Sequence, residues 1–103
     1  VGPRWLDGER NEPQLLCDAY SNAIMKANHV GVKTISFPNI STGVYGFPRQ
    51  LAAEIAIGTI LSTLPQYDCV EEVFFVCRDD ENYLIYKEIL SNINDPKIKI
   101  QIE

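Results

Sequence analysis

Five consecutive apolar residues, Val73-Phe-Phe-Val-Cys77, constrain this chain more than any other feature. Together with Val70, just ahead of two glutamates, they make the stretch 70–77 nearly continuous in hydrophobicity. That is the pattern of a strand covered on both faces, as in a parallel sheet. Parallel strands need crossover connections, and helical periodicity lies on both sides of this one.

Upstream, Leu15, Leu16, Ala19, Ala23, Ile24 and Ala27 recur at three- and four-residue spacings between Asn11 and Val30. Pro13 is placed to begin that helix and Gly31 to end it. A short β-branched segment, Val32 to Phe37, alternates as a strand does. A second helix is expected from Pro48 to about Leu64, lined on one side by Leu51, Ala52, Ile55, Ala56, Thr59, Ile60 and Leu64 and closed by Pro65. After the apolar strand, Asp79 or Asp80 caps a third helix reaching about Asn92, with Tyr83, Ile85, Tyr86, Ile89 and Leu90 as packing positions. The tail from Lys97 to Ile102 alternates strictly, so it predicts a strand with one buried face, and its lysines suit a sheet edge. Helix and strand alternate throughout. The order predicts an α/β layer structure with parallel strands and right-handed crossovers.

Size and charge narrow the function. A chain of 103 residues builds one domain at most, and 46% hydrophobic content is that of a globular protein rather than a disordered one. The longest wholly apolar run is too short to cross a bilayer, and Val1-Gly-Pro-Arg-Trp5 does not read as a signal peptide. The expectation is a soluble intracellular protein, cytoplasmic or nuclear. The net charge of −5 gathers in the second half, where ten acidic residues face four basic ones. With no basic stripe, DNA and anionic membranes are poor partners, and an anionic ligand must be held locally. Three cysteines, Cys17, Cys69 and Cys77, show no C-x-x-C spacing, and His29 stands alone, so neither a disulfide framework nor a metal site is expected.

The stretch Asn39-Ile-Ser-Thr-Gly-Val-Tyr-Gly-Phe-Pro-Arg-Gln50 joins the first strand to the second helix. In open α/β sheets, ligands bind beyond the carboxyl ends of strands, where this loop lies. Ser41, Thr42, Gly43, Val44, Tyr45 and Gly46 offer successive backbone N–H groups just before a helix N-terminus, a place that favours a phosphate. Gly43 and Gly46 would permit positive φ and close approach of an anion. An acidic protein can then bind a diphosphate without a lysine. A second reading stays open, in which the glycines serve only a tight strand-to-helix turn. The Walker loop is excluded because Gly46 precedes Phe47-Pro48 rather than Lys-Ser/Thr, and the G-x-G-x-x-G fingerprint is absent.

At this point the segment "SFPNISTGVYGFPRQLAAEIA" resembles the loop and following helix of macrodomains, the ADP-ribose-binding, Appr-1''-p processing family. The likeness continues in "VGPRW" with Gly8, in "LLCDAYSNAI" and in "VEEVFFVCRDDENYLIYKEIL", and so spans nearly the whole chain. The resemblance implies a three-layer α/β/α fold with a mixed sheet, of which residues 1–103 would be the C-terminal half to two thirds, lacking the N-terminal strands. It implies that Ser41 to Gly46 cradle the ADP-ribose diphosphate through main-chain amides, that Tyr45 flanks the distal ribose, and that Phe47 packs beneath the loop. Cys77, Arg78 and Asn82 would form the adenine rim, with Arg78 standing where relatives often carry an aromatic.

The family's Asn-Ala-Ala-Asn segment and its glycine-rich partner loop do not occur here, so no catalytic residue is expected in this chain. Asp7, Asp79 and Asp80 are assigned solvated or capping roles. The resemblance implies ADP-ribose or ADP-ribosylated protein as the ligand, with no cofactor. The parent would hydrolyse mono-ADP-ribosyl or O-acetyl-ADP-ribose esters, read ADP-ribose without turnover, or leave this part as a nonbinding structural unit. Exposed sheet edge further predicts homo-oligomerisation, or association with the missing N-terminal part.

Overall fold

The computed structural model describes residues 3, 5–40, 46–93 and 95–102. Among these residues the chain order is α1 (Glu12–Val30), β1 (Thr34–Phe37), α2 (Arg49–Thr63), β2 (Glu72–Cys77), α3 (Asp80–Ser91) and β3 (Ile98–Ile102), with a 3₁₀ turn over Leu64–Gln66. The three strands are parallel in the order β1-β2-β3, so the apolar strand is central. Each strand is joined to the next by a helix, as the alternation of periods predicts.

Local signals set the helix ends. Gly31 takes φ 80° after α1 and donates its N–H to Ala27 and Asn28, satisfying the last carbonyls in a conformation that a side chain would strain. Asp79 accepts the N–H of Asn82 and so decides which of the two aspartates caps α3. Pro65 does not stop the chain at Leu64. It sits in the first positions of the 3₁₀ turn, where its missing N–H costs nothing.

Register places Ile35 beside Val73 and Phe37 beside Phe75, and on the other side Val73 beside Ile98 and Phe75 beside Ile100. This face is the core face. Tyr20 from α1 and Tyr86 from α3 both meet Phe75, with ring centroids 6.2 and 5.1 Å away, and Phe37 stacks alongside at 6.0 Å. Helix α2 packs against both α1 and α3. Its buried residues, Ala52, Ala53, Ala56, Ile57, Thr59, Ile60 and Thr63, span a broad face whose small side chains allow close helix approach.

Two expectations shift. Leu15 is exposed while Tyr20 is buried, because the true stripe of α1 runs through Leu16, Tyr20, Ile24 and Ala27. On β2, Val73, Phe75 and Cys77 are buried, whereas Glu72, Phe74 and Val76 are half-buried, so the described residues cover one face fully and the other in part. On that second face Lys99 pairs with the Glu72 carboxylate and lies 5.7 Å from the centre of the Phe74 ring. Among the described residues, no helix is long and apolar enough to cross a membrane.

Candidate functional site

Because β1 and β2 are adjacent and parallel, the segments leaving their carboxyl ends, Pro38-Asn39 and Arg78-Asp79, lie side by side. The helices that follow bring their N-termini to the same place, adding Arg49 from α2 and Asn82 from α3. Together with Val76 these residues line an open cleft of about 400 Å³. It occupies the position at which open α/β sheets bind ligands.

The two helix N-termini differ in charge. At α3, Asp79 Oδ1 accepts the Asn82 N–H at 2.7 Å, Asp79 Oδ2 accepts Asn82 Nδ2 at 3.2 Å, and Asp80 and Glu81 follow in the first turn. The backbone N–H of Asn82 holds the Asp79 carboxyl below its ordinary range against the opposing effect of burial. The Asn82 side chain and the Arg49 charge add to the lowering. That helix end is already neutralised. At α2, no side chain among the described residues caps the helix, Pro48 has no N–H to offer, and the first turn carries no acid. Arg49 lies there with its Nη1 3.3 Å from Glu81 Oε2. An anion in the cleft is therefore favoured at the α2 end, which is where the chain from Gly46 arrives.

Gly46 has φ 71°, in the left-handed region that its lack of a Cβ makes available. The other five loop residues singled out by sequence, Ser41, Thr42, Gly43, Val44 and Tyr45, lie outside the described residues. Phe47 is buried, 2% exposed, with its ring centroid 4.9 Å from that of Trp5.

Of the three expected rim residues, Arg78 and Asn82 line the cleft. Cys77 is buried below it at the end of β2, where its Sγ accepts a hydrogen bond from Asn39 Nδ2 at 3.7 Å. Burial pushes the Cys77 thiol up, partly offset by that bond, with the Asp79 charge adding to the rise. Asn82 is only 3% exposed, and its Oδ1 has no hydrogen-bond partner among the described residues. Farther below, burial pushes the phenols of Tyr20 and Tyr86 up, Tyr20 to about 12 and Tyr86 further. The Asn39 side chain at the cleft hydrogen-bonds to both Cys77 and Tyr86.

Sequence reasoning missed Asn39 and Arg49 as lining residues. Asn39 was visible as the first polar residue after β1, and Arg49 as the first residue after the helix-starting proline. Among the described residues, no group of three or more His, Cys, Asp or Glu could hold a metal ion.

The Macro domain family model matches residues 1–56, more than half of the chain. The chain belongs to the macrodomain family. A macro domain-containing protein of Acinetobacter sp. (strain ED45-25) is 78% identical over 102 residues, covering 99% of this chain and 56% of its own length. A protein of Escherichia fergusonii named O-acetyl-ADP-ribose deacetylase is 50% identical over 95 residues, covering 92% of this chain and 54% of its own. The chain thus spans about half the length of these macrodomain relatives.

Among solved structures, a mutant Oceanobacillus iheyensis macrodomain with ADPR superposes with a TM-score of 0.83 at 39% identity, over 90% of this chain and 50% of that one. A Trypanosoma brucei macrodomain in complex with ADP-ribose has a TM-score of 0.73 at 29% identity, over 76% and 34% of the two chains. The macrodomain fold follows from sequence and structure together, here as three helices on a parallel three-stranded sheet.

Proposed function

We propose that this macrodomain chain binds ADP-ribose, with the diphosphate on the main-chain amides of Ser41 to Gly46 and the adenosine end in the cleft beside Arg78 and Asn82. The observation that carries this reading is the acid-free N-terminus of α2, capped by no side chain among the described residues, which opens into a cleft at the carboxyl ends of β1 and β2. In that position the helix N-terminus adds to the positive potential of Arg49 and Arg78 in a chain of net charge −5. Tyr45 flanks the distal ribose, the Arg78 guanidinium stacks on the purine, and Cys77 packs under the adenine side rather than touching it.

We further propose that the whole protein hydrolyses O-acetyl-ADP-ribose or mono-ADP-ribosyl esters. Support comes from the relatives that bear the deacetylase name and from the Ser-Thr-Gly, aromatic, Pro form of the loop. In this reading the diphosphate clamp fixes the distal ribose against a positioned water, so geometry and electrostatics do more than a strong base. No catalytic side chain is assigned to residues 1–103. Among the described residues β1 and β3 each pair on one side only, and those sheet edges favour association with further strands, either from the remainder of the domain or from a second copy. An intracellular location, cytoplasmic or nuclear, belongs to the same reading.

The test is titration of ADP-ribose into the wild type and into Gly43→Glu and Arg78→Ala variants. A side chain at Gly43 should abolish binding by filling the diphosphate position, and Arg78→Ala should weaken it by the loss of one stacking contact, about 1 kcal/mol. Equal binding by all three would refute the site. With the intact domain, binding of ADP-ribose without release of acetate from O-acetyl-ADP-ribose would make the protein a reader instead of a hydrolase.

A further inference from the structure

Away from the cleft, one buried carboxylate is used in an unusual way. Glu12, 2% exposed, sits in the first turn of α1 and points back at the chain that precedes it. Its Oε2 accepts the backbone N–H groups of Leu6, Asp7 and Gly8 at 2.8, 3.1 and 3.1 Å, and its Oε1 accepts that of Arg10 at 2.7 Å. Four amides from residues 6–10 converge on one side chain. Gly8 at φ 81° and Asn11 at φ 65° supply the left-handed conformations that curl the segment around it. The curl is tight enough that a Cβ at Gly8 would come within 2.8 Å of the Trp5 ring.

That ring is what the segment presents to the rest of the molecule. Trp5 lies on Phe47, centroids 4.9 Å apart with the planes at 59°. Phe47 is the last residue but one before α2, between Gly46 at φ 71° and Pro48, whose carbonyl accepts the first helical N–H, from Ala52. A shift of Phe47 therefore moves both the end of the glycine loop and the head of α2. The buttress is built from residues far away in sequence, and nothing in the cleft itself reports it.

We propose that Glu12 is a positioning residue for the ligand loop: by gathering the amides of residues 6–10 it seats Trp5 against Phe47 and so fixes the end of the glycine loop at the N-terminus of α2. The effect on ligand rests on the reading of that loop as the diphosphate site, whereas the positioning itself does not. A loop held in its competent form for only a tenth of the time raises the apparent Kd about tenfold, and removing the buttress acts in this way. Trp5 is also the only tryptophan in the chain, so its emission reports the contact directly.

The experiment compares the wild type with Glu12→Gln, which keeps shape but loses the charge and one acceptor, and with Trp5→Leu, which leaves the Glu12 hydrogen bonds intact. Hydrogen exchange at residues 46–52, measured without ligand, decides the positioning. Faster exchange there in both variants, with α3 protection unchanged, is expected, together with altered Trp5 emission in Glu12→Gln. Unchanged exchange at 46–52 in a folded Glu12→Gln overturns the proposal, and if that variant fails to fold, Trp5→Leu decides it by the same measurement.

ADP-ribose titration then separates the two readings. About tenfold weaker binding by the variants is expected. Equal affinity in folded variants overturns the coupling to ligand, and no binding by the wild type overturns the site assignment while leaving the exchange result to judge the positioning.

Discussion

Asp79 holds α3 at the cleft through two bonds, and replacing it with alanine tests whether those bonds or the acidic charge alone matter. The Oδ1 bond to the Asn82 N–H at 2.7 Å is an N-cap, and removing a cap of this kind costs about 1 kcal/mol. The Oδ2 bond to Asn82 Nδ2 at 3.2 Å satisfies an amide that is 97% buried and whose Oδ1 already lacks a partner among the described residues. Stranding the donor adds about 1–2 kcal/mol, so Asp79→Ala should destabilise by about 2–3 kcal/mol.

Its neighbour Asp80 offers the control. It is exposed in the same first turn, so Asp80→Ala should cost only the dipole interaction, about 0.5 kcal/mol. Urea denaturation at neutral pH should separate the two variants clearly in midpoint. The pH dependence supplies a second check. Asp79 titrates below its ordinary value of 3.8 in the folded protein, so its contribution is complete above 3.8 and disappears as the pH falls through the lowered folded value. Wild type and Asp79→Ala should therefore converge in stability on acidification. Equal losses for the two aspartates, or an Asp79→Ala deficit that persists undiminished in strong acid, would refute the capping argument.

Three further outcomes follow from the packing. Phe75→Ala empties the point where Phe37, Tyr20 and Tyr86 meet and should cost about 3–5 kcal/mol in denaturant titration. Gly8→Ala should shift the Trp5 emission and lower the melting temperature, because its φ of 81° disfavours a side chain and the new Cβ meets the indole. Acid should loosen the segment before α1. Burial works against the Glu12 charge, but the N–H groups of Leu6, Arg10, Gly8 and Asp7 outweigh it and bring its pKa down from 4.5 to about 2. The stabilisation is thus whole above pH 4.5 and lost as the pH falls through about 2, so Trp5 emission should change in that window and not above it.

What the sequence disclosed was mostly what neighbours in the chain decide. Pro13 and Gly31 bound α1, and Asp79 caps α3, because capping is settled within four residues. The central strand was legible from one apolar run, and the parallel order from the alternation of periods. The stripe of α1 was read partly wrongly at Leu15 and without Tyr20, since a tyrosine buried among Phe37 and Phe75 depends on strands that arrive later in the chain.

The cleft was half legible for the same reason. The loop from Asn39 to Gln50 stood out through its glycines, and Arg78 and Asn82 through the family resemblance. The contact of Asn39 with Cys77 joins residues 38 apart, and Arg49 reaches Glu81 from another helix. Neither meeting has a local signature. Glu12 shows the limit most clearly, because in sequence it is one acid at a helix start, and only the backward curl of residues 6–10 makes it a hub of four amides.

The central claim is that the head of α2 and the loop before it hold the diphosphate of ADP-ribose, and isothermal titration of ADP-ribose into the folded protein tests it most directly. Saturable binding by the wild type that vanishes in Gly43→Glu, with both proteins showing the same far-ultraviolet circular dichroism, is the result expected. Folded wild-type protein that takes up no ADP-ribose, or a Gly43→Glu variant that binds as tightly as the wild type, would contradict it.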